Sequence, residues 1–268
     1  MLRLVFSLMS SAAIVAFSVV VSGTQGTLAR YDLTGKPPLE VNANIRVHKV
    51  MGEIGTFMLG EFAPGFKSTP HHHTHDQINV GISGAYNVVT TAKPYSVSRL
   101  RGLVVPPNVE HGNLVAADVT APLLIEFQPV RRTDFPPERE KVTFPMASSP
   151  TPPPAESLEF DFRAESPAWR RLPNGARVNA RTGTAAAVSA WEIPTSLKTD
   201  VDVHSQLPAA ELFVYILDGN IEARVGAQRH NAGPGVLLVS PPNSPTLQVH
   251  SSGSATAVLL IFEAVKAK

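Results

Sequence analysis

The stretch GFKSTPHHHTHDQINVGISG, from Gly65 to Gly84, decides how this chain is read. It places His71, His72, His73 and His75 within five residues, and Gln77 follows. Histidine is the commonest metal-ligating side chain, acting through a neutral ring nitrogen. On an extended strand alternate side chains share a face. His71, His73, His75 and Gln77 are therefore expected on one face, with His72 on the other. His111 lies further on, just after a Pro106-Pro107-Asn108 turn. A ligand from a second, distant strand can close a site that one strand cannot. A loose histidine-rich tract is the bland alternative, but this one is internal and flanked by strand-like sequence.

Working outward, the chain repeats itself at a shift of 135. Gly84 falls on Gly219, Pro106-Pro107-Asn108 on Pro241-Pro242-Asn243, and Phe127 on Phe262. Both copies alternate short apolar runs with Gly, Pro and Asn, the pattern of β-barrels and sandwiches. In the same register His71 is replaced by Gln206, His73 by Pro208, Gln77 by Leu212 and His111 by Thr246. A small alignment gap brings His204 and Glu211 near the first positions, but puts no histidine at Thr246. A metal is expected in the first copy only.

The residues resemble the cupin motifs. The first cupin motif runs G-x5-H-x-H-x3-4-E-x6-G, and Gly65, His71, His73, Gln77 and Gly84 fit its spacing, with Gln at the acidic position. The second runs G-x5-P-x-G-x2-H. Pro106 to His111 fit it, with Asn108 for the second Gly and the leading Gly displaced to Gly102. Asn tolerates the left-handed conformation that Gly would supply. The resemblance implies an all-β chain of two tandem cupin barrels (double-stranded β-helix, or jelly roll) with little helix. It implies His71, His73, Gln77 and His111 as ligands of one divalent transition metal. Fe, Mn, Ni and Zn all suit such ligation.

Gly65 to about Phe135 is also similar to the pectin-degradation cupins that linearise unsaturated uronates. Their metal strand reads H-x-H-x-H-E-Q, against His71, His73, His75, Asp76 and Gln77 here. Their last strand reads D-x-F-x-P-x-R, against Ile125, Phe127, Pro129 and Arg131. The aspartate is missing, and Glu126, one residue off, is expected on the opposite side of the strand. This resemblance implies Arg131 as a clamp for a substrate carboxylate, and Phe127 as substrate contact or core. His75 and Tyr86 are candidates to move protons.

Three neutral imidazoles and a neutral amide leave a divalent charge uncompensated, so a small, anionic, oxygen-rich substrate is expected. Lewis-acid isomerase or lyase chemistry is one reading. An Fe- or Ni-dependent dioxygenase is a second, and a non-catalytic barrel that binds metal or sugar is a third.

Composition narrows the setting. The 268 residues give room for two domains, and the 43% hydrophobic content suffices for two cores. A net charge of +1, with no dense Lys/Arg block, argues against a nucleic-acid partner. The absence of cysteine removes disulfides, thiolate ligands and a cysteine nucleophile together. Arg3, the apolar stretch from Leu4 to Val21 and the small residues Ser22 and Gly23 read as an export signal. The alternative is an uncleaved membrane anchor over residues 4–21. Either predicts a periplasmic or secreted protein, with a homodimer as a possible assembly. The expected organisation is leader 1–23, metal-bearing cupin 24–134, proline-rich linker 135–167 and metal-free cupin 168–268. Ala168 to Asn179 is expected to hold a short helix or an edge strand.

Overall fold

The computed structural model describes residues 27–131 and 157–266, except 36, 164, 198 and 204. Residues 1–23, expected as a leader, and most of the proline-rich stretch lie outside the described residues. The first half runs β1 (Ala29–Asp32), β2 (Leu39–Asn42), β3 (Ile45–Met51), β4 (Thr56–Phe62) and β5 (Gln77–Ser83). It continues with β6 (Ala85–Thr90), β7 (Pro94–Ser98), β8 (Arg101–Val105), β9 (His111–Leu114) and β10 (Leu123–Gln128). After the proline-rich stretch come β11 (Leu158–Asp161), β12 (Arg170–Arg171), β13 (Arg177–Thr182), β14 (Ala186–Ile193), β15 (Val201–Val203) and β16 (Glu211–Asp218). The chain ends with β17 (Ile221–Val225), β18 (Gln228–Ala232), β19 (Val236–Ser240), β20 (Leu247–Ser251) and β21 (Ala257–Ala264). No helix forms among the described residues, and Ala168 to Asn179 carries β12 and the start of β13.

The repeat seen in sequence is a repeat in topology. In the first half the strands lie side by side as β3-β4-β10-β5-β8. In the second half β13-β14-β21-β16-β19 takes the same order. Gly84 and Gly219 turn with φ of 66° and 73°. Asn108 and Asn243 sit at 64° and 59°, the left-handed conformation that their type tolerates.

Each half lends a strand to the other. β1 precedes the first half but pairs with β19, Ala29 opposite Val239. β11 precedes the second half but pairs with β8, Leu158 opposite Val104. Val104 and Val239 are themselves 135 apart, so the exchange is reciprocal. β11 thus lies within the stretch 135–167 expected as linker and pairs with a strand of the first half, while β1 pairs in the second half's sheet.

Period-two alternation decides what each strand faces. Ile78 and Val80 of β5, and Ile125 and Phe127 of β10, enter a core shared with Phe213 and Phe262 of the second half. Leu124 points the other way, into a core private to the first half with Phe62, Tyr86 and Val105. The second half has its own private core around Trp191, Ile216 and Leu259. Phe57, fully buried at 0%, lies 5.6 Å from Phe262 and 5.9 Å from Tyr215, ring centre to ring centre.

Two buried carboxylates tie the halves across this shared core. Glu211 accepts the backbone N–H of Glu53, Ile54 and Gly55 at 2.7, 2.8 and 2.8 Å, in the β3–β4 turn. Asp76 accepts those of Ala185 and Ala186 at 2.6 and 3.0 Å, in the β13–β14 turn. Asp76 and Glu211 are again 135 apart. Glu211 is thereby engaged in a structural contact and is no substitute metal ligand.

Candidate metal centre

The histidine segment is not one extended strand. His71 makes an isolated bridge, residues 72–76 are loop and bend, and β5 begins only at Gln77. Pro70 precedes His71, and Asp76 at the far end is drawn to the second half, so the segment has no long run of ladder partners. Convergence is achieved by other means. His71 and His111 exchange backbone hydrogen bonds, His71 N–H to His111 O at 2.8 Å and the reverse at 2.7 Å. Asn108, at the left-handed turn, donates its N–H to His73 O at 2.7 Å. The turn residue thus fixes the backbone carrying His73 and, three residues on, His111.

His71, His73 and His111 come together as a result. One ring nitrogen from each lies within 4.8 Å of the others, the one such cluster of His, Asp, Glu or Cys among the described residues. His111 donates Nδ1–H to Val109 O, and His71 donates Nδ1–H to Thr69 O, both at 2.9 Å. A carbonyl only accepts, so each ring carries its proton on Nδ1, which makes Nε2 the unprotonated nitrogen of each. Backbone support of this kind is what orients metal-ligating histidines. His111 Nε2 is buried and meets no hydrogen-bond partner. Burial, then the neighbouring His71, push the His111 imidazole down to about 4, so it is a neutral donor at neutral pH. These residues fit a borderline divalent cation.

The other residues singled out in sequence fall into three places. His75 stacks on His73, ring centres 5.2 Å apart, and donates Nε2–H to Gln128 Oε1 at 3.1 Å. Gln77 lies in the same amide network. Its Oε1 accepts from Gln128 Nε2 at 3.1 Å, and its Nε2 donates to Asn79 Oδ1 at 3.3 Å. Tyr86, 3% exposed, donates to Asn79 at 3.4 Å, and burial pushes its hydroxyl well above its ordinary value. Arg131 is exposed beyond the end of β10 and is not among the residues lining the cavity beside His71.

Beside His71 opens a cavity of about 150 Å³. Glu126 lines it, and its carboxylate accepts Gln128 Nε2 at 2.8 Å. The expected arrangement of β10 is therefore reversed: Ile125 and Phe127 face the shared core, while Glu126 and Gln128 face the site. Phe127 is core, not a substrate contact. Aligning by the Asp-x-Phe pattern put the functional face on the wrong side of the strand. The repeat itself held the signal, because Phe262 matches Phe127 and both copies share one apolar core.

The second half has lost the centre by more than substitution. Glu263 stands where Gln128 does, 135 residues on, and is 1% exposed. It accepts the N–H of Gln206 at 2.7 Å and of Leu207 at 3.0 Å, and the Ser205 hydroxyl also donates to it. Its carboxylate is thus occupied in holding the loop that corresponds to the histidine segment. Among the described residues, the cleft there is lined by neutral side chains, among them Leu212, Asn243 and Thr246.

No family model matches the chain, and no curated protein matches it in sequence. Solved structures do match in shape. The cupin 2 conserved barrel domain protein from Leptotrichia buccalis superposes at TM-score 0.57 and 10% identity, over 88% of this chain and 96% of that one. The fold is a cupin fold. Protein Ylba from E. coli matches this chain at TM-score 0.65 and 11% identity, covering 91% of it and 94% of Ylba. An oxalate decarboxylase variant from B. subtilis matches at 0.62 and 12%, covering 90% and 78%. Identities this low concern the fold alone.

Proposed function

We propose that the chain is an exported, metal-dependent enzyme of two cupin barrels. Its first barrel holds one divalent transition metal and acts on a small anionic substrate by isomerase or lyase chemistry. The observation that carries this reading is His111 Nε2, buried without a partner beside His71 and His73. A buried acceptor left unsatisfied costs about 1–3 kcal/mol, and a cation removes that cost. Gln77 is the proposed fourth ligand, since a carboxamide oxygen accepting from Gln128 retains a second lone pair.

The bound metal would supply Lewis-acid polarisation of a substrate oxygen. Neutral ligands leave its charge to be balanced by the substrate, which favours a carboxylate with an adjacent oxygen. Glu126 stands on the cavity wall to hold or move a proton. Gln128 bridges Glu126 to His75 and fixes both side chains. Tyr86 is buried and tied to Asn79, which in turn accepts from Gln77. Arg131 lies outside the cavity, so the substrate carboxylate is assigned to the metal.

Metal analysis and titration of the purified chain test the reading. One equivalent per chain, lost in His111→Ala while the fold persists, is expected. Two equivalents that survive His111→Ala, or no uptake at all, would overturn it. Turnover accompanied by oxygen consumption would replace the isomerase or lyase reading with an oxygenase.

A further inference from the structure

The cavity beside His71 describes the substrate further. Its wall is made by Ile45, Val47, Met58, Phe62, Phe66 and Leu124. Its polar lining groups are His71, Ser68, Asn113 and Glu126. Among the described residues Asn113 Oδ1 is buried and meets no hydrogen-bond partner. An orphaned carboxamide oxygen asks the ligand for a donor. Ser68 Oγ already accepts the Asn113 N–H at 2.8 Å, which holds Asn113 in place.

Size and polarity then exclude a sugar acid. An apolar cavity of this volume takes about one benzene molecule, roughly six heavy atoms. A sugar acid brings several hydroxyls, and each one buried against Val47 or Phe62 without a partner would weaken binding. A hydrocarbon tail against the same wall gains from burial.

We infer that the substrate is a short-chain 2-hydroxy carboxylic acid with a hydrocarbon tail. The carboxylate and hydroxyl oxygens would lie toward the three histidines, with the hydroxyl hydrogen donated to Asn113. The tail occupies the apolar cavity. This inference rests on the metal-dependent reading given above and narrows its substrate.

The test uses Co²⁺ as the bound metal and reads its visible absorption on titration with three acids: 2-hydroxy-4-methylpentanoate, lactate and glucuronate. The branched acid buries three more carbons than lactate, each worth about fourfold, so it is expected to bind about 60-fold tighter. Glucuronate is expected to bind more weakly than either. Val47→Thr keeps the shape and exchanges a methyl for a hydroxyl, so the advantage of the branched acid over lactate should shrink severalfold while Co²⁺ is still taken up. The apolar cavity is also read without metal. 4-Methyl-2-pentanol should give saturation-transfer NMR signals with the metal-free chain and weaker ones with Val47→Thr or a folded Val47→Phe. Failure to take up Co²⁺ defeats the metal reading, and the alcohol then judges the cavity separately. Glucuronate binding as tightly as the branched acid, or an alcohol signal indifferent to position 47, would overturn the inference.

Discussion

Glu211→Ala removes a carboxylate on which the two halves lock. The side chain is 1% exposed and accepts three backbone N–H groups from the β3–β4 turn. Each buried donor left unmade costs about 1–3 kcal/mol. Water entering the vacated space would satisfy part of this, so the expected loss is about 3–5 kcal/mol by the same principle. Asp76→Ala orphans two donors and should cost less, about 2–3 kcal/mol. Urea unfolding followed by far-ultraviolet circular dichroism and tryptophan fluorescence measures both. A double-mutant cycle sharpens the test. A Cβ added at Gly52 would collide with the Glu211 carboxylate and with no closer group. Gly52→Ala should therefore destabilise the wild type and cost much less once Glu211 is alanine. A loss below about 1 kcal/mol for Glu211→Ala, well short of the unmade bonds, would refute the reasoning, as would additive penalties in the cycle.

Two other outcomes follow from the cores and the buried acids. Phe57→Ala empties the shared core beside Phe213 and Phe262, and is expected to cost about 3–5 kcal/mol in a single cooperative unfolding transition; separate transitions for the two halves would count against a shared core. Burial pushes the Glu263 carboxyl above its ordinary value of 4.5, against the pull of Ser205, Gln206 and Leu207. A carboxyl raised on folding contributes stability below that ordinary value, and the contribution is lost as pH rises through the folded value. Urea midpoints from pH 4 to 7, on the ordinary carboxyl scale, should therefore fall less steeply for Glu263→Gln than for the wild type. Parallel slopes would show that Glu263 is not the group responsible.

Much of the site was legible because the histidine cluster and the Pro-Pro-Asn turn are local signals. Asn108 does adopt the left-handed conformation, and its N–H does organise His73. What failed was the step from spacing to face. Period-two alternation predicts one strand from His71 to Gln77, yet Asp76 is pulled toward Ala185 and Ala186, more than a hundred residues away. The Asp-x-Phe resemblance implies Glu126 on the far side of β10, whereas Phe127 shares a core with Phe262 and Glu126 lines the cavity. Asn113 and Ser68 carry no motif; their place beside His71 follows from the pairing of distant segments.

The sequence by itself determined the strand-rich fold, the repeat and the inequality of its copies. These depend on short-range periodicity, turn residues and ligand types, all of which are written in neighbouring positions. The tertiary structure alone decided which strand belongs to which half. Pairing partners are chosen by backbone groups that every residue carries, so β1 and β11 give no sign in their side chains that they cross over. It also decided which carboxylates serve chemistry and which serve the fold. Glu126, Glu211 and Glu263 are one residue type with three fates: one lines the cavity, one clasps the opposite half, and one holds a loop where the second site would be. The groups that come within hydrogen-bonding reach decide between them, and those are set only when the chain has closed on itself.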